Sequence, residues 1–280
     1  MRWQDRKESS NVEDRRGMSG KGIVGGGIGA LVIMLVIYFL GGDPGQFLNM
    51  QQNETTENTA DYKPSKEEQE LARFTSVVLA ETETVWGDLF RKSGRTYDEP
   101  KLVLYTNSVN SACGYSGAST GPFYCPGDRK VYIDLSFFSE LRDKFKAPGD
   151  FAMAYVIAHE VGHHVQTLLG TNDKINSLRG RMDKKEFNKY LVRMELQADY
   201  FAGVWAHYVE RMNILEKGDL EEALNAASSV GDDRIQKNAQ GYVVPDAFTH
   251  GTSEQRRNWF YKGFKSGDMN GGDTFNSRNL

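Results

Sequence analysis

Cysteine is scarce in this 280-residue chain, which has only Cys113 and Cys125. Two cysteines are too few for a disulfide scaffold or a cysteine-based zinc finger. A strong charge of one sign is also lacking. The formal net charge is −4 with both signs mixed, so nothing suggests a nucleic-acid partner. Histidine is rare, with five in all, yet three of them fall within six positions: His159, His163 and His164. Long apolar runs are missing too, apart from Gly22 to Leu40, 19 residues without a charge.

That exception is long enough to cross a membrane, because about 20 residues at 1.5 Å each span a bilayer core. A buried core helix of this length would show a polar face, and this one has none. Arg2, Arg6, Lys7, Arg15, Arg16 and Lys21 precede it, and no Lys or Arg lies between Gly41 and Tyr62. The positive-inside rule then puts residues 1–21 in the cytoplasm as a solvated tail, and everything after Leu40 outside, on the periplasmic side of a bacterial inner membrane. The long charged leader, with no small-x-small cleavage site after Leu40, favours an uncleaved single-pass anchor over a cleaved signal peptide. Gly22-x-x-x-Gly26 and Gly25-x-x-x-Gly29 are spaced to pack two such spans together as a homodimer. Residues 41–65 lack apolar periodicity and read as a flexible linker.

The remainder, 66–268, reads as one domain, mainly helical α+β, with 269–280 as a Gly/Asn/Asp-rich disordered tail. Ser65 to about Lys92 carries an approximate apolar stripe with Glu67, Glu68 and Glu70 at its start, as expected of a packing helix. Leu102–Tyr105 is a short strand. Residues 111–128 read as a loop; outside the cytoplasm its Cys113 and Cys125 would pair as a disulfide. Lys130–Leu135 alternates like a half-buried strand, which is either a plain sheet strand or the lip of a cleft where an extended peptide could pair with it. Asp150 is a plausible N-cap for a helix running to about Leu169, with Gly170 as its stop. Helical patterns continue over Lys184–Arg211 and Asp219–Ile235. Thr252-Ser253-Glu254-Gln255 opens a further helix as a capping box.

The chemistry concentrates in His159-Glu160-Val161-Gly162-His163, set in an apolar helix. Residues four apart share a helix face, so His159 and His163 can offer two imidazoles to one metal ion. Glu160, rotated by about 100° from His159, can stand beside the ion and take a proton from a water held there. A catalytic zinc needs a third protein ligand. Glu195 is the natural candidate, because Glu195 and Asp199 are embedded in a strongly apolar helix where unpaired carboxylates would be costly. Asp199, four residues on, can hydrogen-bond the free ring nitrogen of a ligating histidine. His164 and His207 point off the metal face. His250 and Arg256 either pack near the last helix cap or face the cleft to stabilise an oxyanion.

His-Glu-Val-Gly-His followed downstream by Glu195-x-x-x-Asp199 resembles the gluzincin class of zinc peptidases. More closely, the chain is similar to the bacterial neutral zinc metallopeptidase family of the YpfJ type, from Met1-Arg2-Trp3 and Val12-Glu13-Asp14-Arg15-Arg16-Gly17 through to Glu254-Gln255-Arg256-Arg257. The resemblance implies a membrane-anchored, zincin-like domain. One Zn²⁺ would lie on His159, His163 and Glu195, with Glu160 as general base and Asp199 behind a histidine. His250 to Arg256 is similar to a His-Pro-x-x-x-x-Arg segment of membrane-associated zinc peptidases, with Gly251 in place of the proline; this leaves His250 as a candidate catalytic group. The expected reaction is hydrolysis of peptide bonds in the cell envelope. The alternative is a zinc-stabilised envelope scaffold without turnover, against which an intact Glu160 argues.

Overall fold

The computed structural model describes residues 1–18, 62–117 and 120–280. The apolar run 22–40, its possible pairing with a second copy, and residues 41–61 of the linker lie outside the described residues. Among those described, no helix is long and apolar enough to cross a membrane.

The architecture is mainly helical α+β. The first long helix, α1 (Lys66–Lys92), starts where the sequence predicts, because Ser65 and Glu68 form a reciprocal capping box that satisfies two orphan N–H groups. One four-stranded sheet follows, in the order β1-β2-β6-β5. Its members are β1 (Val12–Asp14), β2 (Lys101–Tyr105), β5 (Phe123–Cys125) and β6 (Lys130–Asp134). The first three in that order run parallel, and β5 is antiparallel to β6.

Strand periodicity sorts the side chains. Leu102, Leu104, Val131 and Ile133 join the main helical core, whereas Val103, Tyr105 and Tyr132 join a smaller cluster on the other face. A hairpin of β3 (Val109–Ser111) and β4 (Gly114–Ser116) flanks that second face. Strand β6 is therefore covered on both faces and both edges. It is not the lip of the cleft. That position belongs to β5, in a stretch where the sequence predicts only loop. Too short to show alternation, β5 is held as the sheet's edge by its pairing with β6 and by the Cys113–Cys125 disulfide.

Seven further helices are described: α2 (Ser136–Asp143), α3 (Asp150–Leu168), α4 (Thr171–Asn176), α5 (Lys184–Arg211), α6 (Asp219–Ser229), α7 (Asp232–Gln240) and α8 (Ser253–Ser266). Asp150 is the first residue of α3, not its cap. Gly149 holds the cap position, and Glu222 of α6 accepts the Phe151 N–H at 3.1 Å. Asp150 is instead engaged by the Met1 ammonium at 2.7 Å. The pattern expected over Asp219–Ile235 breaks at Val230 and Gly231 into α6 and α7. A Cβ on Gly231 would collide with the Ser253 backbone, so α8 makes its close approach there. Helices α5 and α8 pack along each other, and side chains at Gly203 or Gly263 would run into the facing backbone.

Both termini depart from expectation. Residues 1–18 are not a solvated tail. Met1 and Trp3 are buried, the Trp3 ring meets Phe74 edge-on at 5.4 Å, and β1 completes the sheet. Two aromatic or long apolar side chains and three sheet residues outweigh the segment's polar composition, and several of its charged groups find partners: Arg6 pairs with Glu81, Arg16 with Asp14, and Glu8 with Arg73. The C-terminal stretch is not a disordered tail either. Thr274 is fully buried, its backbone oxygen accepts from Arg193, and Gly272 accepts from Gln197 at 2.8 Å. Polar composition there reflects backbone pairing with α5, a signal that composition does not carry.

Candidate metal centre

Helices α3 and α5 cross where the metal motif lies. Gly162 makes the crossing close: a Cβ there would sit 2.9 Å from the Ala198 carbonyl oxygen. Phe151 in the first turn of α3 stacks on Trp205 of α5, and from Tyr155 to Gln166 the facing side chains meet carboxylates and amides of α5.

His159, His163 and Glu195 converge, with one ligand atom from each lying within 4.8 Å of the others. His159 Nε2 is 3.2 Å from Glu195 Oε2, and His163 Nε2 is 3.4 Å from Glu195 Oε1. Tetrahedral zinc with bonds near 2.0–2.1 Å holds its ligand atoms about 3.3 Å apart. Two imidazole nitrogens and a carboxylate at these separations therefore fit zinc in both chemistry and spacing. Burial opposes the charge on Glu195, but His163 and His159 outweigh it and hold the carboxyl well below its usual range. Burial likewise opposes protonation of His159, yet Asp199 and Glu195 push it up to about 10. The charges are those of a site that attracts a cation.

Behind the ligands lies a hydrogen-bonded layer. Asp199, fully buried, accepts from Tyr155 Oη at 2.5 Å, from His159 Nδ1 at 2.8 Å, and from Arg256 Nε and Nη2 at 2.8 and 3.0 Å. Burial works against its charge; Arg256 and His159 outweigh that and hold it at about 2. An ionised Asp199 keeps a proton on His159 Nδ1, so a metal would displace only the proton on Nε2 and take its lone pair. Arg256 lies buried in the first turn of α8, where its Nη1 also donates to the Val230 carbonyl at 3.3 Å. It neutralises Asp199.

Gln166 plays the matching part for His163. Its Nε2 donates to the Met194 carbonyl at 2.7 Å and to Gln197 Oε1 at 3.1 Å, so its Oε1 faces His163 Nδ1 at 2.9 Å. A carbonyl only accepts, so the amide cannot be flipped without losing the Met194 bond. His163 must then donate through Nδ1 and present Nε2. One amide links the second histidine to the turn of α5 that carries Glu195.

Above these groups is a cleft of about 480 Å³. Glu160, 8% exposed, forms part of its floor. One wall is β5 with Gly121 and Pro122, another is Phe137, Phe145 and Val156, and a third carries His250. Asp232 holds His250 in place. One carboxylate oxygen accepts the backbone N–H groups of Thr249, His250 and Gly251, and the other meets His250 Nδ1 at 3.2 Å. A groove of about 570 Å³ beside the N-terminal segment contains none of this chemistry.

His164 turns away from the cleft. Its Nε2 donates to the Asp98 carbonyl at 2.6 Å and its Nδ1 meets Tyr124 Oη at 3.1 Å, tying β5 to α3. Burial pushes it down to about 4. His207 bonds the Phe264 carbonyl. A second acidic group, Asp150, Asp219 and Glu222, is satisfied by the Met1 ammonium and the Phe151 N–H.

The geometry thus brings together His159, Glu160, His163, Glu195, Asp199 and His250. Sequence reading missed Gln166, Tyr155 and Asp232. Gln166 had a usable signal, lying three residues after His163 on the same face. Asp232 had none.

Comparison with known proteins agrees. The profile of the family described as "Putative neutral zinc metallopeptidase" matches residues 1–275. The chain is 51% identical over 285 residues to the uncharacterized protein YpfJ of Escherichia coli K12, covering 98% of this chain and 99% of that protein. It is 37% identical over 259 residues to the uncharacterized proteins Mb2605 of Mycobacterium bovis and Rv2575 of Mycobacterium tuberculosis, covering 86% of this chain and 85% of each of theirs. No solved structure gives a significant match.

Proposed function

Since the chain belongs to the neutral zinc metallopeptidase family, we propose that its cleft hydrolyses peptide bonds in an extended segment, as a zincin-like enzyme of gluzincin type. The observation that carries this reading is the convergence of His159, His163 and Glu195 on the floor of an open cleft, with Glu160 beside them. Zinc bound there would polarise a substrate carbonyl and make a water more acidic.

The chain's own residues supply the rest. Glu160 takes the proton of the attacking water and passes it to the leaving amine. His250, oriented by Asp232 through Nδ1, presents Nε2 towards the cleft and donates to the developing oxyanion. Strand β5 pairs its free edge with the substrate backbone. Asp199 and Gln166 keep both ligating imidazoles in the tautomer the metal needs.

The setting we propose is the cell envelope. The disulfide between Cys113 and Cys125 suits an oxidising compartment, and the uncharged run 22–40 suits contact with lipid.

The test is cleavage of a mixed, unfolded peptide library by the full zinc-loaded chain in lipid nanodiscs, beside its Glu160→Gln form. The full chain is needed because residues 1–18 are part of the fold. Cleavage by the parent alone supports the reading, and the cut sites give its specificity. Zinc bound by both forms with no cleavage by either favours a scaffold, and equal cleavage by both refutes the role of Glu160.

A further inference from the structure

We infer that the N-terminal segment and the metal cleft lie on the same side of the membrane, and that the face bearing Arg16, Gly17 and Tyr62 is turned towards the bilayer. The inference rests on reading residues 22–40 as a lipid contact and is independent of the peptidase chemistry.

The described chain stops at Met18 and resumes at Tyr62, and these two points are neighbours. A Cβ on Gly17 would strike the Tyr62 ring. Arg16 donates to the Glu68 carbonyl in the first turn of α1 at 2.9 Å, and Tyr62 Oη donates to Glu68 at 2.8 Å. Both ends of the intervening segment thus emerge from one patch.

The segment before that patch is built into the domain. Val12, Glu13 and Asp14 pair with Leu102, Val103 and Leu104. Glu13 binds Lys130 of the central strand at 2.8 Å. Trp3 packs on α1, and Arg2 N–H donates to the Ile214 carbonyl beyond α5. These contacts cannot form across a bilayer.

A straight helix of the uncharged run would be about 28 Å long at 1.5 Å per residue, and would deliver the chain to the opposite face. Returning would then fall to residues 41–61. That stretch carries Asp43, Glu54, Glu57 and Asp61 among Asn, Gln and Thr, and hydrocarbon offers its backbone no hydrogen-bond partner. A single crossing is therefore incompatible with the packed fold. The chain before and the chain after the apolar run therefore lie on one side of the membrane. That run begins four residues after Met18, so at about 3.5 Å per extended residue the patch lies within roughly 14 Å of the lipid. The exposed Met18 and Lys63 beside this patch suit an interface with lipid.

Two measurements on the full chain in cells test this. Lys7→Cys and Lys237→Cys each place a thiol at an exposed position, one before and one after the apolar run, while Cys113 and Cys125 stay paired. A membrane-impermeant maleimide applied to intact spheroplasts should label both equally, or neither until lysis. Labelling of one before lysis and the other only after it would overturn the shared-side inference. In nanodiscs containing nitroxide-labelled lipid headgroups, a fluorophore on Lys63→Cys should be quenched at least twofold more than one on Lys237→Cys. Equal quenching would overturn the assignment of the facing surface. Glu8→Cys and Glu254→Cys, also exposed, replace any position whose variant fails to fold.

Discussion

Replacing Asp199 with Asn keeps the shape of the side chain and removes its charge. Four donors converge on the two carboxylate oxygens, two of them from Arg256, and neither Asp199 nor Arg256 is more than 4% exposed. An asparagine amide would point its own N–H groups at the Arg256 fork and leave a guanidinium buried without a counter-charge. Breaking a buried pair in this way costs about 3–5 kcal/mol. The same change frees His159 to adopt the wrong tautomer. Lost support of that kind weakens metal binding by about 10–100-fold, which corresponds to roughly 1.4–2.7 kcal/mol. Denaturant unfolding of the metal-free chain reads the first effect, and zinc competition against a chromophoric chelator reads the second. Asp199→Asn combined with Arg256→Gln separates the pair from its parts. With both charges gone, the double variant should recover stability relative to the sum of the singles by about 1–3 kcal/mol. Zinc affinity within twofold of the parent and an unchanged unfolding midpoint for Asp199→Asn would refute the reasoning.

Gln166→Met, similar in volume, leaves His163 Nδ1 and the Met194 carbonyl unpaired. It should weaken zinc binding about tenfold or more, and an unchanged affinity in a folded variant would remove Gln166 from the centre. Glu13 is held at about 2 by Lys130, against its burial, with help from Arg15. Its folded pKa is below the ordinary 4.5, so its contribution is present above pH 4.5 and is lost as the pH falls towards 2. Hydrogen exchange in β1 should therefore accelerate selectively across that window, relative to α3; parallel acceleration of both would argue against the clasp. Replacing Cys113 and Cys125 together with Ser should cost about 3 kcal/mol in the chain-entropy model, given their short closed loop. Peptide cleavage should suffer more than zinc binding, because the bond holds β5 and not the ligands. Equal loss of both would place the disulfide's role elsewhere.

The local features were legible in the sequence because local rules decide them. Ser65 with Glu68 and Thr252 with Gln255 announce helix starts, since a capping box needs only neighbours in the chain. The His159, Glu160 and His163 triplet lies on a single helix, so the 3.6-residue period fixes its geometry. Glu195 and Asp199 could be read because burial of carboxylates on an apolar helix demands partners. The disulfide was expected because Cys113 and Cys125 are close in the chain and were placed outside the cytoplasm.

Tertiary structure decided everything that depends on elements far apart in the chain. Strand β6 has an edge-like alternation, yet β2 and β5 occupy both its edges. The sequence left Arg256 between cap packing and an oxyanion donor, and only the packing of α8 against α5 brings it to Asp199 as a counter-ion. The sequence of residues 1–18 is polar enough to be a tail, and its basic residues suggest one side of a membrane. Only the pairing of β1 with β2, and of Glu13 with Lys130, shows that the segment belongs to the domain. Charge and hydropathy along the chain report the preferences of each segment separately; a strand's place in a sheet is set by the partner that satisfies its backbone, and β1 finds that partner in Leu102–Leu104, far along the chain.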